Sequence, residues 1–325
     1  MNTNNLSVNF DWAKDYVVSA NDAKKIANPT WIIPNLIISS HIVLIPAEPN
    51  AGKTTILFHL SSEMVKQGYE VFYVNSDISG GDAKPMIDEA QAKGFTLMLP
   101  DLVVGKSMNS VIDDLERMSE SNTRFDNKVF IFDTLKKMIN TMVKDHAKKL
   151  FQILRKLTAK GMTIILLAHT NKYYDKEGNP IYEGTGDMRS DVDELIYLIP
   201  QKHNDGTMTV TTKPDKVRGT FKPISFKIDS NRQVAQLLKS IDTKTAVETA
   251  TKIANDQPTI KAITSAINNG CITQKDIIEH CKVNDSISER IVKKTLCEYE
   301  KNANHKLWIK EKGTRNSSKF KLVKS

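Results

Sequence analysis

Long apolar runs are missing from this chain. No hydrophobic stretch approaches the roughly 18 residues that a membrane-crossing helix requires. The first nine residues, Met1 to Asn9, are polar and lack the apolar centre of a secretory leader. Both absences lead to the expectation of a cytoplasmic protein with no membrane partner. Cysteine is scarce: Cys271, Cys281 and Cys297 are the three in 325 residues, and no two stand in CxxC spacing. They read as reduced thiols, not as a metal site. Cys281 beside His280, with His305 nearby, fits no usual zinc spacing. Internal repeats and long low-complexity segments are also lacking.

What remains is ordinary globular composition, 40% hydrophobic and 26% charged, in a length that suits one large domain or two. The net charge of +8 is unevenly spread. Residues 256–325 hold 14 Lys and Arg against 8 Asp and Glu, so most of the excess lies in the last fifth of the chain. A concentrated basic region suits a polyanionic partner, most often nucleic acid.

The most informative stretch is Ala47-Glu48-Pro49-Asn50-Ala51-Gly52-Lys53-Thr54-Thr55. It follows the apolar run Ile42 to Pro46 and precedes a helix-like segment, Ile56 to Gln67. Strand, loop and helix in that order form a P-loop, whose backbone N–H groups cradle the phosphates of ATP. Lys53 would reach the β- and γ-phosphates, and the Thr54 hydroxyl would ligate Mg²⁺. The pattern G-x-x-x-x-G-K-[ST] begins with glycine, and Ala47 stands in that place.

Further apolar runs, Val71–Val74, Thr96–Leu99, Val129–Phe132 and Thr163–Ala168, alternate with helical patterns near 53–67, 82–93, 107–120 and 145–160. Short apolar strands separated by helices predict an α/β fold with a mostly parallel sheet covered on both faces. Thr207–Thr212 and Ile224–Ile228 alternate more strictly and suit antiparallel strands at the sheet edge. The expected organisation is an N-terminal segment (1–30), an ATPase domain (31–230), a helical linker (231–257) fading near Pro258, and a small unit (258–325). Three short helices and two strands in that unit resemble a winged helix-turn-helix. Its third helix, with Arg290, Lys293 and Lys294, would enter DNA, and Arg315 lies in the wing turn. A protein-interaction module fits the same pattern.

Lys128-Val129-Phe130-Ile131-Phe132-Asp133 is a buried strand ending in a carboxylate, 80 residues after Lys53. Asp133 there would hold Mg²⁺ through water. Asp77, at the end of the strand near 71–74, is the candidate general base, although it also fits a plain turn residue. His169 follows the strand 163–168 and could report the nucleotide state, or serve structure alone.

Together these residues resemble the RecA-like ATPase core. More narrowly they are similar to the RepA-type AAA-family ATPases and DnaB-like hexameric replicative helicases of plasmids and phages, over about residues 28–230. The resemblance implies a homo-hexamer or other ring or filament. It implies that Lys216 and Arg218, in Lys213-Pro214-Asp215-Lys216-Val217-Arg218-Gly219, match a K-x-R motif reaching the neighbouring subunit's γ-phosphate, though a basic surface loop fits too. It also implies that the Gly-rich segment after Asn171 carries DNA-binding loops, with Lys172, Tyr173, Tyr174, Lys176 and Arg189 as contacts. The expectation is an ATP-driven motor on single-stranded DNA, with duplex DNA as a partner of the small unit. Two alternatives stay open: a non-translocating DNA-binding ATPase (recombination mediator, helicase loader or defence component) and an ATP-gated winged-helix regulator.

Overall fold

The computed structural model describes residues 11–138, 144–175, 180–183, 187–203, 205–301, 306–312 and 318–323. The described residues begin with a 3-10 helix at Asp11–Tyr16 and a short helix α1 (Ala20–Ala23). β1 (Trp31–Ile33) and β2 (Ile37–Ile38) then close a small antiparallel hairpin through Asn35, whose φ is +62°. The Trp31-to-Ile37 run therefore folds back on itself before the first core strand begins. Asn is among the residues that tolerate this left-handed turn.

The alternating region runs β3 (Ile42–Ala47), α2 (Lys53–Lys66), β4 (Glu70–Asn75), α3 (Gly80–Lys93), β5 (Thr96–Met98), α4 (Met108–Glu120), β6 (Lys128–Asp133), α5 (Leu135–Met138), α6 (Lys144–Ala159), β7 (Thr163–Tyr174), β8 (Pro180–Tyr182), α7 (Asp187–Asp191) and β9 (Glu194–Lys202). An antiparallel extension follows: β10 (Met208–Lys216), β11 (Ser225–Ile228) and β12 (Val234–Gln236). Among the described residues these strands form one sheet in the order β12-β11-β10-β9-β3-β7-β6-β4-β5, with β8 paired to the end of β7. Strands β9, β3, β7, β6, β4 and β5 are parallel to one another.

Why the central strands read as unbroken apolar runs is plain in the packing. Side chains alternate across a strand with period two, and both faces here are covered. Ile42 and Leu44 enter one core with Phe130, Phe132, Ile164 and Leu166. Val43, Ile45 and Ala47 enter the other with Val129, Ile131, Ile165 and Leu167. Helices α4 and α6 close the first face, and α2 closes the second. No helix among the described residues is long and apolar enough to cross a membrane.

The segment 231–257 departs from the linker expected there. Its start, β12, pairs with β11 and belongs to the sheet. Helix α8 (Thr243–Asn268) then runs without interruption through Pro258. A proline inside a helix removes one hydrogen bond and crowds the preceding turn. Packing at both ends outweighs that cost. Ala246 and Val247 are buried in the first core, against the sheet, while Ile260, Ile263 and Ile267 are buried in a second core. That second core is built with α9 (Gln274–Asp285), α10 (Glu289–Lys301) and the antiparallel pair β13 (Trp308–Lys312) and β14 (Ser318–Leu322). Cys281 is fully buried in it, Cys271 is half-buried and Cys297 is exposed.

Trp308 anchors the second core. It is fully buried, meets Tyr299 edge-on at 6.2 Å, and donates its indole N–H to the Leu296 carbonyl at 2.8 Å. Trp308→Ala is expected to destabilise this unit by about 3–5 kcal/mol, the usual cost of truncating a buried aromatic. Urea unfolding followed by far-UV circular dichroism checks it, and a loss under about 1 kcal/mol would contradict the assignment.

Candidate nucleotide-binding site

All six residues of β3 are buried, so the strand delivers the loop that follows it to a fixed place at the carboxyl edge of the sheet. Ala47 is the last residue of β3, in register with His169 and Leu198. It is strand backbone, where a Cβ costs nothing, so the absent glycine is not needed there. The left-handed positions fall later, at Asn50 (φ +59°) and Gly52 (φ +78°). Gly52 precedes the first residue of α2, and a Cβ on it would lie 2.5 Å from Ile228 Cδ1 and 2.9 Å from Met208 Cε. The antiparallel extension therefore closes directly over the loop.

Lys53, only 7% exposed, turns its ammonium back into the loop. It donates to the carbonyls of Ala47 and Glu48, both at 3.1 Å, and lies 3.3 Å from His169 Nδ1. Burial lowers the Lys53 pKa, opposed by the charges of Asp133, Asp77 and Glu48. Burial first, and then the Lys53 charge, lowers the pKa of His169, so its ring favours the neutral form. Thr54 donates its hydroxyl to Asp133 Oδ2 at 2.8 Å. The same oxygen accepts the Tyr73 hydroxyl, also at 2.8 Å, and Asp133 is 4% exposed. Burial and then the Asp133 charge push the Tyr73 phenol well above its ordinary pKa, so it remains a donor. A half-buried hydroxyl and a buried carboxylate, brought within hydrogen-bond distance, are hard oxygen donors of the kind Mg²⁺ takes, so these two side chains fit that ion.

The loop faces a cleft of about 1020 Å³, lined by Pro49 to Thr55, Asp77, Asp133, His169 and the turn Asn231 to Gln233. Asp77 stands at its rim, half exposed and 3.1 Å from Lys137 Nζ of α5. Its amide donates to Asn75 Oδ1 at 2.8 Å, so Asp77 is indeed part of a turn as well as a lining residue. The opposite rim carries Arg232, whose guanidinium donates to Thr55 Oγ1 at 3.0 Å. Asp229 Oδ1 shapes that turn by accepting the amides of Asn231 and Gln233 at 2.9 and 2.8 Å. Arg232, Lys137 and Tyr73 escaped the sequence reading, because nothing in their local spacing marks them.

Lys216 and Arg218 lie elsewhere. β10 runs from Met208, beside Gly52, back toward the opposite end of the sheet. Eight residues at about 3.3 Å each place Lys216 roughly 26 Å away along the strand. Lys216 does not point free: its three donors are spent on the carbonyls of Arg189, Ser190 and Val192 at 2.8, 2.9 and 2.7 Å. Arg218 is 62% exposed and pairs at 2.9 Å with Asp193, which also accepts Arg155 at 2.7 Å and the Ile42 amide at 2.9 Å. Arg189 is tied to Asp215 at 2.9 Å, so it is an intramolecular clamp in this structure rather than a free cation. Residues 172–174 extend β7 beyond the predicted strand, their side chains lying outside the described residues, as do Lys176 and Arg315. Arg290, Lys293 and Lys294 are exposed on α10, with Lys293 paired to Glu289.

β7, which carries His169 in register with the end of β3, is inserted between the phosphate-loop strand and the strand that ends in Asp133. With its buried lysine and carboxylate, this is a P-loop fold of the nucleotide-binding class. Within that class, the family model described as an AAA domain matches residues 12–175, and the chain belongs to that family. A stretch of 143 residues is 22% identical to the DNA repair protein RadA of Campylobacter jejuni, covering 42% of this chain and 30% of that protein. The chain thus spans under a third of that relative's length. Among solved structures, the flagellar accessory protein FlaH from Methanocaldococcus jannaschii is similar with a TM-score of 0.43 at 16% identity, over 63% of this chain and 92% of that one. A KaiC-like protein from Pyrococcus horikoshii gives 0.44 at 14% identity, over 62% and 91%.

The His169 environment predicts a pH dependence. Its folded pKa lies below the ordinary 6.5, so below that pH the unfolded chain binds a proton that the folded chain resists. The stability this ring contributes is present above pH 6.5 and is lost as pH falls through and below it. His59 is shifted in the same direction by burial and adds to the slope. Denaturant midpoints measured from pH 8 to pH 5 should fall less steeply for His169→Gln than for the parent; equal slopes would contradict the shift.

Proposed function

We propose that this chain is an ATP-dependent motor on single-stranded DNA, working as a ring (a homo-hexamer in the simplest form) or a filament whose active sites lie between copies. The observation that carries the reading is the length of β10. Arg218 sits at the far end of the sheet from its own phosphate loop, so a phosphate it meets belongs to a neighbouring copy. Arg218 is the reaching residue. Lys216, saturated by the end of α7, anchors the strand from which Arg218 extends.

Within one copy, the residues divide the work by position. Lys53 exchanges the Ala47 and Glu48 carbonyls for β- and γ-phosphate oxygens, and loop amides bind the rest of the phosphate chain. Thr54 and Asp133 hold Mg²⁺, which when bound neutralises and orients the phosphates. Asp77 takes the proton of the attacking water once it leaves Lys137. Neutral His169 stays within reach of Lys53 and registers whether that lysine is on phosphate or on the loop. Arg232 supplies a further cation beside Thr55.

DNA as the partner rests on separate support. The relative matched over 143 residues is a DNA repair protein by name. The C-terminal unit is basic, and its helices and strand pair follow in the order of a winged helix-turn-helix, with exposed Arg290, Lys293 and Lys294 on the third helix. A bridge from Thr273 to Lys319 adds the short third strand contact of such a wing. The DNA-repair relative also favours a second reading, a single-strand-dependent ATPase that does not translocate.

Subunit mixing tests the shared site. Lys53→Ala and Arg218→Ala should each lose most ATP hydrolysis, for the arginine roughly 10³-fold or more. Mixed in equal amounts they should regain activity, since about one interface in four then pairs both intact residues. A mixture no more active than its parts sinks the shared site. Stimulation by single strands with strand displacement supports the motor, and stimulation without displacement moves the reading to the non-translocating ATPase.

A further inference from the structure

Tyr73 presents a puzzle if it is only a core residue. It is fully buried on β4, edge-on to Phe58 at 4.8 Å and near Phe95 at 6.1 Å. Phenylalanine would fill that pocket equally well and would bury no hydroxyl. Burying a hydroxyl without a partner is costly, so the oxygen of Tyr73 must be answered. It is answered by Asp133 Oδ2 at 2.8 Å. The reach is diagonal: Tyr73 is in register with Ile131, and Asn75 with Asp133. Two residues along the neighbouring strand is within range of a long aromatic side chain.

Thr54 donates to the same oxygen. With two donors converging on Oδ2, the carboxylate cannot turn about its χ2 bond without breaking one of them. The Thr54 hydroxyl, its proton committed to Asp133, is left with lone pairs as its remaining capacity, which is the form a cation needs. The groups hold one another: phenol fixes carboxylate, and carboxylate fixes the threonine proton.

We propose that Tyr73 is a positioning residue for the cation site, acting through Asp133 to hold the Thr54 oxygen in the orientation that accepts Mg²⁺. This rests on the assignment of Thr54 and Asp133 to that ion. Tyr73 does not line the cleft, and its effect is confined to metal affinity. Partners that orient metal ligands in this way typically change metal affinity 10- to 100-fold when removed.

The experiment is a Mg²⁺ titration of fluorescent ATP-analogue binding to the full chain, run for the parent, Tyr73→Phe, Asp133→Asn and the double variant, with a parallel series in EDTA. Tyr73→Phe should raise the half-saturating Mg²⁺ concentration by about tenfold or more, leave binding in EDTA unchanged, and add nothing to Asp133→Asn. If Asp133→Asn abolishes the Mg²⁺ dependence while Tyr73→Phe matches the parent, the positioning role is overturned and the site assignment stands. If Asp133→Asn keeps the parent's Mg²⁺ dependence, the site assignment itself fails and takes this role with it. Should Tyr73→Phe not fold, 3-fluorotyrosine placed at residue 73 carries the test. Its fluorine resonance should shift when Mg²⁺ is added to the nucleotide complex and not when nucleotide binds in EDTA. No difference between the two overturns the role.

Discussion

A carboxylate with 4% exposure has to be compensated, and the architecture at the carboxyl edge of this sheet follows from that need. An ionised group taken out of water is tolerated only where hydrogen bonds and opposite charge replace its hydration. Asp133 obtains both. Thr54 and Tyr73 donate to it, and the Lys53 ammonium feels its charge from the next loop. The donors come from α2 and β4 and the carboxylate from β6, so satisfying it brings three elements to one point. The same arrangement leaves Lys53 parked on the Ala47 and Glu48 carbonyls, which under the proposed function phosphate oxygens replace.

A second constraint is the rigidity of the sheet as a ruler. β10 begins against Gly52 and ends where Lys216 closes α7, so the loop and Arg218 cannot approach one another without unpairing the strand. The buried Asp193 gathers Arg155, Arg218 and the start of β3 at that far end, giving it its own charge-paired anchor. Helix α8 extends this rigidity beyond the sheet. Its first turns pack into the core of the sheet and its last turns are the centre of the C-terminal core, so the two cores share one continuous element. The Tyr299 hydroxyl on Asp256, at 3.0 Å, and the Lys252–Glu298 ion pair tie α10 to α8 beside Pro258.

How legible each feature was depended on how local its cause is. The phosphate loop, the strand ending in Asp133 and the alternation of strands and helices are written in contiguous residues, and periodicity or spacing is enough to read them. The Ala47 substitution looked like a departure at that level. It becomes harmless once Ala47 is seen as strand backbone, with the left-handed turns displaced to Asn50 and Gly52. The match to a K-x-R motif makes Lys216 a reaching cation on the resemblance alone. Its three carbonyl partners come from residues 189–192, which sequence spacing alone could not place beside it. Pro258 looked like the end of a linker for a sound local reason, and burial on both sides of it overruled that reason.

By itself, then, the sequence determined the class of fold, the phosphate loop and the buried carboxylate, because each rests on interactions between residues a few positions apart or on a repeating pattern of burial. Only the tertiary structure decided that Tyr73 answers Asp133, that Arg232 reaches Thr55, and that Arg218 and the loop stand at opposite ends of the sheet. Those facts depend on strand order and register. They are set by the competition of many burial contacts at once, and no single stretch of chain carries them.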